Sequence, residues 1–316
     1  MTATGSISEM PMQRKLDFAA ELESGLSKTS VIRRNEPLAK RTTLRVGGLA
    51  DFYVEPANEK DLAAALKLCG QFAMPFFVLG RGSNLLVRDG GFRGMVLCLA
   101  QTAFGEVQIT GQNMRAGAGA KLKTVAVEAR RHGLSGLEFL EGIPGSVGGA
   151  LRMNAGAMGG QTFDAVESVR LMDFDGEISE APPGELQVAY RGCAALRNRV
   201  ALAAIFKCAA AAREEIETRM KSFSQKRWDS QPAAPSAGCI FKNPPAMPAG
   251  KLVDELGLKG ARVGGAVVSA EHGNFIINDG KATAWDVLAL IEIVKAKARA
   301  ERGIELQTEV EIIGEG

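Results

Sequence analysis

Apolar and polar positions repeat along this chain with two different periods, and the places where the period changes mark out its elements. After a polar leader, residues 14–26 read as a helix. Residues 43–54 read as two strands broken by Gly47-Gly48. Leu62, Ala65, Leu66 and Cys69 then fall at helical spacing, with Asn58 and Asp61 as the starting cap and Pro75 as the stop. Short apolar runs at 76–79, 85–87, 95–99 and 107–110 predict strands, and residues 121–132 predict a helix closed by Gly133. Strands follow at 166–174 and 200–207, with Asp175-Gly176 as a hairpin turn. The charge-rich helical stretch 213–228 reads as a boundary. Beyond it, Thr283 and Asp286 form a capping box for a long helix with Val287, Leu288, Ile291 and Val294 as its buried stripe, and a strand at 304–313 closes the chain. Helices and strands are mixed without strict alternation, which predicts an α+β fold.

Composition sharpens this picture in one respect. Glycine accounts for 37 of the 316 residues, with no three-residue period, so the excess belongs to particular loops whose backbone comes close to something. The excess concentrates between Gly133 and Gly160, which reads either as a functional loop or as a tight packing seam. Charge excludes more than it suggests: 38 basic against 36 acidic residues give +2, too balanced for a nucleic-acid or acidic-membrane partner. No apolar run is long enough to span a bilayer, and the leader has no basic segment running into an apolar one, so a cytoplasmic protein is expected. The five cysteines are odd in number and include no CxxC pair, which predicts reduced thiols. The two histidines, His132 and His272, stand far apart without ligand spacing, so no metal is expected.

Two glycine segments are candidates for chemistry. Gly80-Arg81-Gly82-Ser83-Asn84 lies between two predicted strands, where it can present backbone N–H groups and a hydroxyl to an anion such as a pyrophosphate, although a ligand-free tight turn needs the same glycines. Gly142-Ile143-Pro144-Gly145-Ser146-Val147-Gly148-Gly149 is the stronger candidate, because several glycines around a rigid proline suit a flat or phosphorylated ligand lying on the backbone. No G-x-G-x-x-G, Walker A or G-x-S-x-G sequence occurs, so dinucleotide-crevice, kinase and hydrolase readings lack support. Cys239 follows a glycine beside Lys242 and Asn243, whereas the other four cysteines read as small buried hydrophobes. Glu305, Glu309 and Glu311 alternate with Leu306, Val310 and Ile312, and the ordinary reading of such a row is a solvated strand face.

Five ordered blocks together resemble the UDP-N-acetylenolpyruvoylglucosamine reductase family. They are Thr43-Leu44-Arg45-Val46-Gly47-Gly48, residues 79–87, 136–156 and 238–244, and residues 272–278 taken with 306–314. The resemblance implies a vanillyl-alcohol-oxidase type fold, in which two α+β subdomains hold FAD without a Rossmann motif and a C-terminal α+β domain carries substrate contacts. On this reading, residues 1–30 are a leader and helix, 31–212 the FAD-binding domain split near 100, and 213–316 the substrate domain. It implies non-covalent FAD held by Gly47, by Gly80, Arg81, Gly82, Ser83, Asn84 and Leu85, and by Ile143, Pro144, Gly145, Ser146, Val147, Gly148 and Gly149. NADPH is the implied reductant, a UDP-sugar enolpyruvyl ether the implied substrate, and a monomer without nucleic-acid or membrane partners the implied state.

Three positions match the family's catalytic residues. Arg191 in Tyr190-Arg191-Gly192-Cys193 matches the arginine that meets the substrate carboxylate, Glu309 the glutamate that stabilises the enol, and Cys239 the proton donor, where the family more usually has serine. Arg227 and Asn243 match positions that meet the diphosphate, and His272 a polar substrate contact. Cys193 and Gln307 also depart from the family pattern, where serine and glutamate are usual. The short interval between Arg191 and Cys239 resembles the subtype that lacks an added substrate-capping loop.

Overall fold

In the computed structural model, which describes residues 11–316, the contacts separate two compact units that are both discontinuous in sequence. The first comprises residues 11–34, Phe52–Gly80 and Arg93–Gln225, and the second Asn35–Asp51, Arg81–Phe92 and Lys226–Gly316. Both mix helices and strands, as the pattern predicts.

The first unit holds a four-stranded sheet in the order Val31–Pro37, Leu49–Glu55, Phe92–Cys98, Phe76–Leu79, the last pair parallel. Its larger sheet runs Ile178–Ala181, Val166–Asp173, Arg199–Lys207, Asn113–Gly117, Val107–Thr110, antiparallel throughout. The hairpin at Asp175-Gly176 forms as expected. Asp173 folds it by accepting the Asp175 and Glu177 N–H groups on Oδ1 at 3.0 and 2.9 Å, and Gly176 takes the left-handed φ of 88°. The strand it leads into, Ile178–Ala181, left no sequence signal because all but its last residue are exposed. The helix Glu59–Phe72 starts where Asn58 accepts the Asp61 N–H at 3.0 Å and buries the anticipated Leu62, Ala65, Leu66 and Cys69. Arg170 clamps it to the larger sheet with two guanidinium nitrogens on the two Glu59 oxygens, at 2.9 and 3.0 Å.

The second unit packs the sheet Ser236–Cys239, Phe275–Asn278, Ala266–Val268, Arg262–Val263 against the helices Ala249–Glu255 and Ala284–Arg302. Its core joins Leu44, Val46 and Leu86 from early in the chain to Phe241, Leu252, Ile276, Val287 and Ile291 from the end. The Thr283–Asp286 capping box forms. Asp89 adds to it by accepting the Ala284 and Trp285 N–H groups at 2.9 and 2.8 Å, so two otherwise orphaned amides end on a carboxylate at the positive end of the helix. In the buried stripe Leu290 takes the place expected for Leu288, which is only partly buried.

Two expectations need correction. Residues 43–48 are a loop and only Leu49–Glu55 is strand, because Arg45 and Gly47 have left-handed φ values of 59° and 118° that no strand accommodates. Gly47 is required twice over there: a Cβ on it would sit 2.6 Å from the Val87 Cβ. Of residues 304–313 only Glu311–Ile313 forms a strand, parallel to Leu85–Val87, so Glu305, Glu309 and Glu311 do not share a regular strand face. Within the glycine-rich stretch the 3-10 turn Glu138–Gly142 and the helix Val147–Met153 form.

Asp89→Ala removes both capping bonds, and the expected cost is about 1 kcal/mol. That corresponds to a melting temperature lower by a few °C, read by calorimetry, with the far-UV circular dichroism of the folded protein unchanged.

Candidate functional site

In the first unit, the chain leaves the strand Phe76–Leu79 at Gly80, beside the start of the helix Val147–Met153. A Cβ on Gly80 would stand 3.0 Å from the Ser146 Oγ and 3.9 Å from the Gly149 Cα, and a Cβ on Gly149 would stand 3.7 Å from the same hydroxyl. Gly80, Ser146 and Gly149 therefore form a patch of bare backbone with one hydroxyl, which any side chain at the two glycines would fill. Such a surface fits a planar or phosphorylated group such as a flavin nucleotide. The neighbouring amides are less available than a free nest would be: Val147 and Gly148 donate to the carbonyls of Ala120 and Ala118 at 3.0 and 2.8 Å, and Ile143 donates to Leu140. Gly145 accepts the Leu122 N–H at 3.2 Å, and Pro144 is exposed. In this segment Ser146 and Gly149 are thus the residues turned towards Gly80, whereas Gly148 is fitted against Ala118.

Arg191 lies in the same unit, at the tip of a hairpin pairing Val188–Ala189 with Gly192–Cys193. It holds a left-handed φ of 57°, and its guanidinium carbon lies 5.1 Å from the ring centre of the exposed Tyr190. A non-glycine residue pays roughly 1 kcal/mol or more for that conformation, a cost that persists where the side chain is needed. Cys193 is buried, its thiol donating to the Leu186 carbonyl at 3.3 Å and raised in pKa by that burial, so it does the work a serine hydroxyl would do there.

The second unit carries the remaining candidates. Gly82, with φ 63°, is forced by the approach of Arg41, whose carbonyl oxygen would be 2.2 Å from a Cβ. Arg81 is exposed, Ser83 half-buried and Leu85 buried. Asn84 donates from Nδ2 to the Glu309 carbonyl at 3.1 Å and accepts the Glu311 N–H on its own carbonyl at 3.1 Å. Glu309 in turn donates its N–H to the Ile240 carbonyl at 2.7 Å, one residue beyond Cys239. The structure thus brings Asn84, Cys239 and Glu309 onto adjacent, hydrogen-bonded segments.

Cys239, Asn243 and His272 line one cavity of about 320 Å³ together with Gly250, Lys251, Asp254, Lys259, Glu271 and Asn274. Asn243 accepts the Ala249 N–H at 3.0 Å, which ties it to the start of the helix Ala249–Glu255. Arg227 belongs to the helix Arg213–Ser230 and is not among the residues around this cavity. His272 is half-buried, and its Nδ1 accepts the Asn274 N–H at 3.1 Å, so the neutral ring carries its proton on Nε2. Burial and, secondarily, the Lys259 ammonium push the His272 pKa below the ordinary imidazole value. None of the five cysteines is in a disulfide; Cys239 is half-buried and the other four are buried. Among the described residues no cluster of three or more His, Cys, Asp or Glu could hold a metal ion, and no helix is long and apolar enough to cross a membrane.

A UDP-N-acetylenolpyruvoylglucosamine reductase of Geobacter metallireducens is 45% identical over 286 residues, covering 90% of this chain and 94% of its own. The chain belongs to the UDP-N-acetylenolpyruvoylglucosamine reductase family. A member from Geotalea uraniireducens is 44% identical over 284 residues, again covering 90% of this chain and 94% of its own. The family model for the reductase C-terminal domain matches residues 231–313, and a model described as FAD binding domain matches residues 50–181. A crystal structure of the Thermus caldophilus family member superposes with a TM-score of 0.79 at 41% identity, covering 90% of this chain and 98% of that one. The fold is therefore the α+β flavin-binding architecture that the resemblance implied.

Sequence reading passed over Asn274, Lys251, Lys259 and Glu271, which line the cavity beside Cys239. For Asn274 a signal existed: a polar residue directly precedes the apolar run Phe275-Ile276-Ile277.

For His272 the depressed pKa means that the unfolded chain binds a proton more readily than the folded one. Its contribution to stability is present above the ordinary value of 6.5 and is lost as the pH falls below it. An NMR titration is expected to place its midpoint below 6.5, moving upward in Lys259→Gln. A midpoint unmoved by that substitution refutes the Lys259 contribution.

Proposed function

We propose that the chain is an FAD-dependent reductase that uses NADPH to convert UDP-N-acetylenolpyruvoylglucosamine into UDP-N-acetylmuramate, in the synthesis of peptidoglycan precursors. Family membership over nine-tenths of the chain supports the reaction. The observation that carries the assignment of residues is the 2.7 Å bond from the Glu309 N–H to the Ile240 carbonyl, which makes neighbours of the candidate acid and the candidate carboxylate.

FAD, when bound, supplies the hydride chemistry. Residues 31–212 are proposed to form the flavin-binding part and 213–316 the substrate part. Gly80, Ser146 and Gly149 offer the bare surface for the flavin nucleotide, with Gly47, Arg81, Gly82, Ser83, Asn84 and Leu85 and with Ile143, Pro144, Gly145, Val147 and Gly148 shaping its surroundings. Arg191 holds the carboxylate of the enolpyruvyl group with its forked donors, so that charge gathering there during reduction meets a cation. Glu309 hydrogen-bonds the same developing enolate. The Cys239 thiol delivers the proton to C2, leaving a thiolate that water reprotonates. Arg227 and Asn243 meet the diphosphate, and His272 gives a polar contact through its Nε2–H. The protein is taken to act as a cytoplasmic monomer.

Because neither glycine segment contains a cysteine or histidine, the flavin is expected to be held without a covalent bond, and acid precipitation of the yellow protein should leave all of it in the supernatant. Flavin in the pellet refutes that, and a colourless protein refutes the function.

Arg191→Gly separates fold from chemistry. Glycine relieves the left-handed strain, so the hairpin should be stabilised by up to about 1 kcal/mol, while flavin reoxidation by the enolpyruvyl substrate falls by roughly 10²-fold or more. Reduction by NADPH should stay near the wild-type rate in stopped-flow traces. Equal loss in both half-reactions would make Arg191 a flavin-binding or folding residue instead. Cys239→Ser should turn over, since a hydroxyl can donate, whereas Cys239→Ala should accept electrons from NADPH yet pass them on very slowly. Wild-type turnover in Cys239→Ala would reduce the thiol to packing.

A further inference from the structure

The strand Ser236–Cys239 stops at the residue proposed to donate the proton, and the two residues after it lie buried with main-chain groups that must still be satisfied. Ile240 and Phe241 find their partners on two sides. On one side Ile240 accepts the Glu309 N–H at 2.7 Å, Lys242 donates to the Gln307 carbonyl at 2.9 Å, and Phe241 bridges to Thr308. On the other stands Asn274, only 3% exposed. Its Oδ1 accepts the Phe241 N–H at 2.8 Å, its Nδ2 donates to the Phe241 carbonyl at 2.8 Å, and its own carbonyl accepts the Ile240 N–H at 2.9 Å.

The Asn274 side chain thus acts as a peptide group from a strand that is not there. A carboxamide presents one donor and one acceptor side by side, as a neighbouring strand would, and at this length no other side chain does so. Aspartate keeps the acceptor but not the donor, and leucine keeps only the shape. The main-chain ladder passes Cys239 by a single bond, from the Ile240 N–H to the Asn274 carbonyl, and a further strand residue would continue it to Phe241. The carboxamide instead satisfies Phe241 while the backbone departs from regular pairing between Ser236 and Cys239, where Gly238 has φ 74°. Cys239 and Asn274 then line the same cavity. The Asn274 N–H reaches the same cavity by bonding the His272 Nδ1, so one residue touches the supports of three site groups.

We infer that Asn274 is a positioning residue for Cys239 and Glu309: by standing in for a strand at Phe241 it fixes the Cys239-Ile240-Phe241 segment from which the thiol is presented and to which the Glu309 main chain is bonded. The inference rests on the proposed roles of those two residues.

The test uses the flavin-loaded full chain in stopped-flow half-reactions. In Asn274→Leu, reduction by NADPH should remain within about twofold of wild type, while the limiting rate of reoxidation by UDP-N-acetylenolpyruvoylglucosamine falls on the order of 10²-fold, the scale set by misplacing a reacting group by about an ångström. Asn274→Asp, which retains the bond to the Phe241 N–H, should fall between Leu and wild type. Alkylation of Cys239 by iodoacetamide, followed by peptide mass spectrometry without any substrate present, should change several-fold in both variants. Asn278→Ala is the control for lost buried side-chain bonds, because Asn278 holds the Leu44 carbonyl and the Gly280 and Ala282 amides but neither Ile240 nor Phe241. It should lower the melting temperature without altering Cys239 alkylation.

Wild-type reoxidation in Asn274→Leu overturns the inference, as does loss by the same factor in both half-reactions. If neither variant folds, Asn274 is a stability residue and the inference is likewise overturned. Failure of the underlying reading looks different: Cys239→Ala would then turn over normally whatever Asn274 does.

Discussion

The second unit depends on how a chain can pass through the middle of a core with its peptide groups satisfied on both sides. Residues 240–242 solve the problem with the Glu309 and Gln307 main chains on one flank and the Asn274 side chain on the other. Each unsatisfied group there would cost about 1–3 kcal/mol, so the arrangement is strongly specified. Asn84 extends it, since its side chain holds the Glu309 carbonyl and its main chain holds the Glu311 N–H, and from there the parallel pairing of Glu311–Ile313 with Leu85–Val87 begins. Segments far apart in sequence are thereby committed to one geometry before any ligand is considered. That is the rigidity that the proposed proton donor and charge-stabilising carboxylate require.

Close backbone approach is the second constraint, and it explains the glycine excess better than ligand binding alone. Gly47 faces Val87, Gly82 faces the Arg41 carbonyl, and Gly119 would carry a Cβ only 1.9 Å from the Leu99 carbonyl oxygen. At these sites any side chain collides with main chain, so the glycine is needed whether or not a ligand binds. Gly80 and Gly149 differ, because the atom nearest their missing Cβ is the Ser146 hydroxyl and no main chain closes over them. Within one composition, one class of glycine is required by packing and another keeps a surface bare.

This division marks what the sequence could and could not disclose. Local signals translated faithfully: the Asn58 cap, the Thr283–Asp286 box and the Asp175-Gly176 turn are each written within a few residues, and each forms. The mixed α+β class and the family were also legible, the second because five blocks keep their order. What escaped was decided by partners distant in sequence. Residues 304–310 alternate like a strand, yet apart from the Phe241–Thr308 bridge they join no strand until Leu85–Val87 meets Glu311–Ile313. Residues 43–46 carry strand-like side chains, but the left-handed Arg45 breaks the run. Asn274 sits in plain view at the head of an apolar strand, and its importance appears only once Phe241, thirty-three positions earlier, is found against its carboxamide.

The five cysteines divide in three dimensions as their sequence neighbours suggested, with Cys239 half-buried and the other four buried. Burial pushes the thiols of Cys69 and Cys193 upward in pKa, and Cys208 to about 11, where burial is reinforced by the nearby Glu138 carboxylate. A thiol held neutral and out of reach of solvent neither attacks nor titrates near neutral pH, and such residues serve as small hydrophobes. Cys193 is the instructive member of that group, because it also stands where the family usually has serine, yet it spends its hydrogen on the Leu186 carbonyl inside the first unit. Cys239 carries the same exchange of oxygen for sulfur onto the wall of a cavity lined by Lys251, Asp254, Lys259, Glu271 and His272. The same replacement therefore leaves a buried, hydrogen-bonded thiol at one position and a cavity-lining thiol at the other. Of the five, Cys239 is the sulfur that a ligand in the cavity can reach.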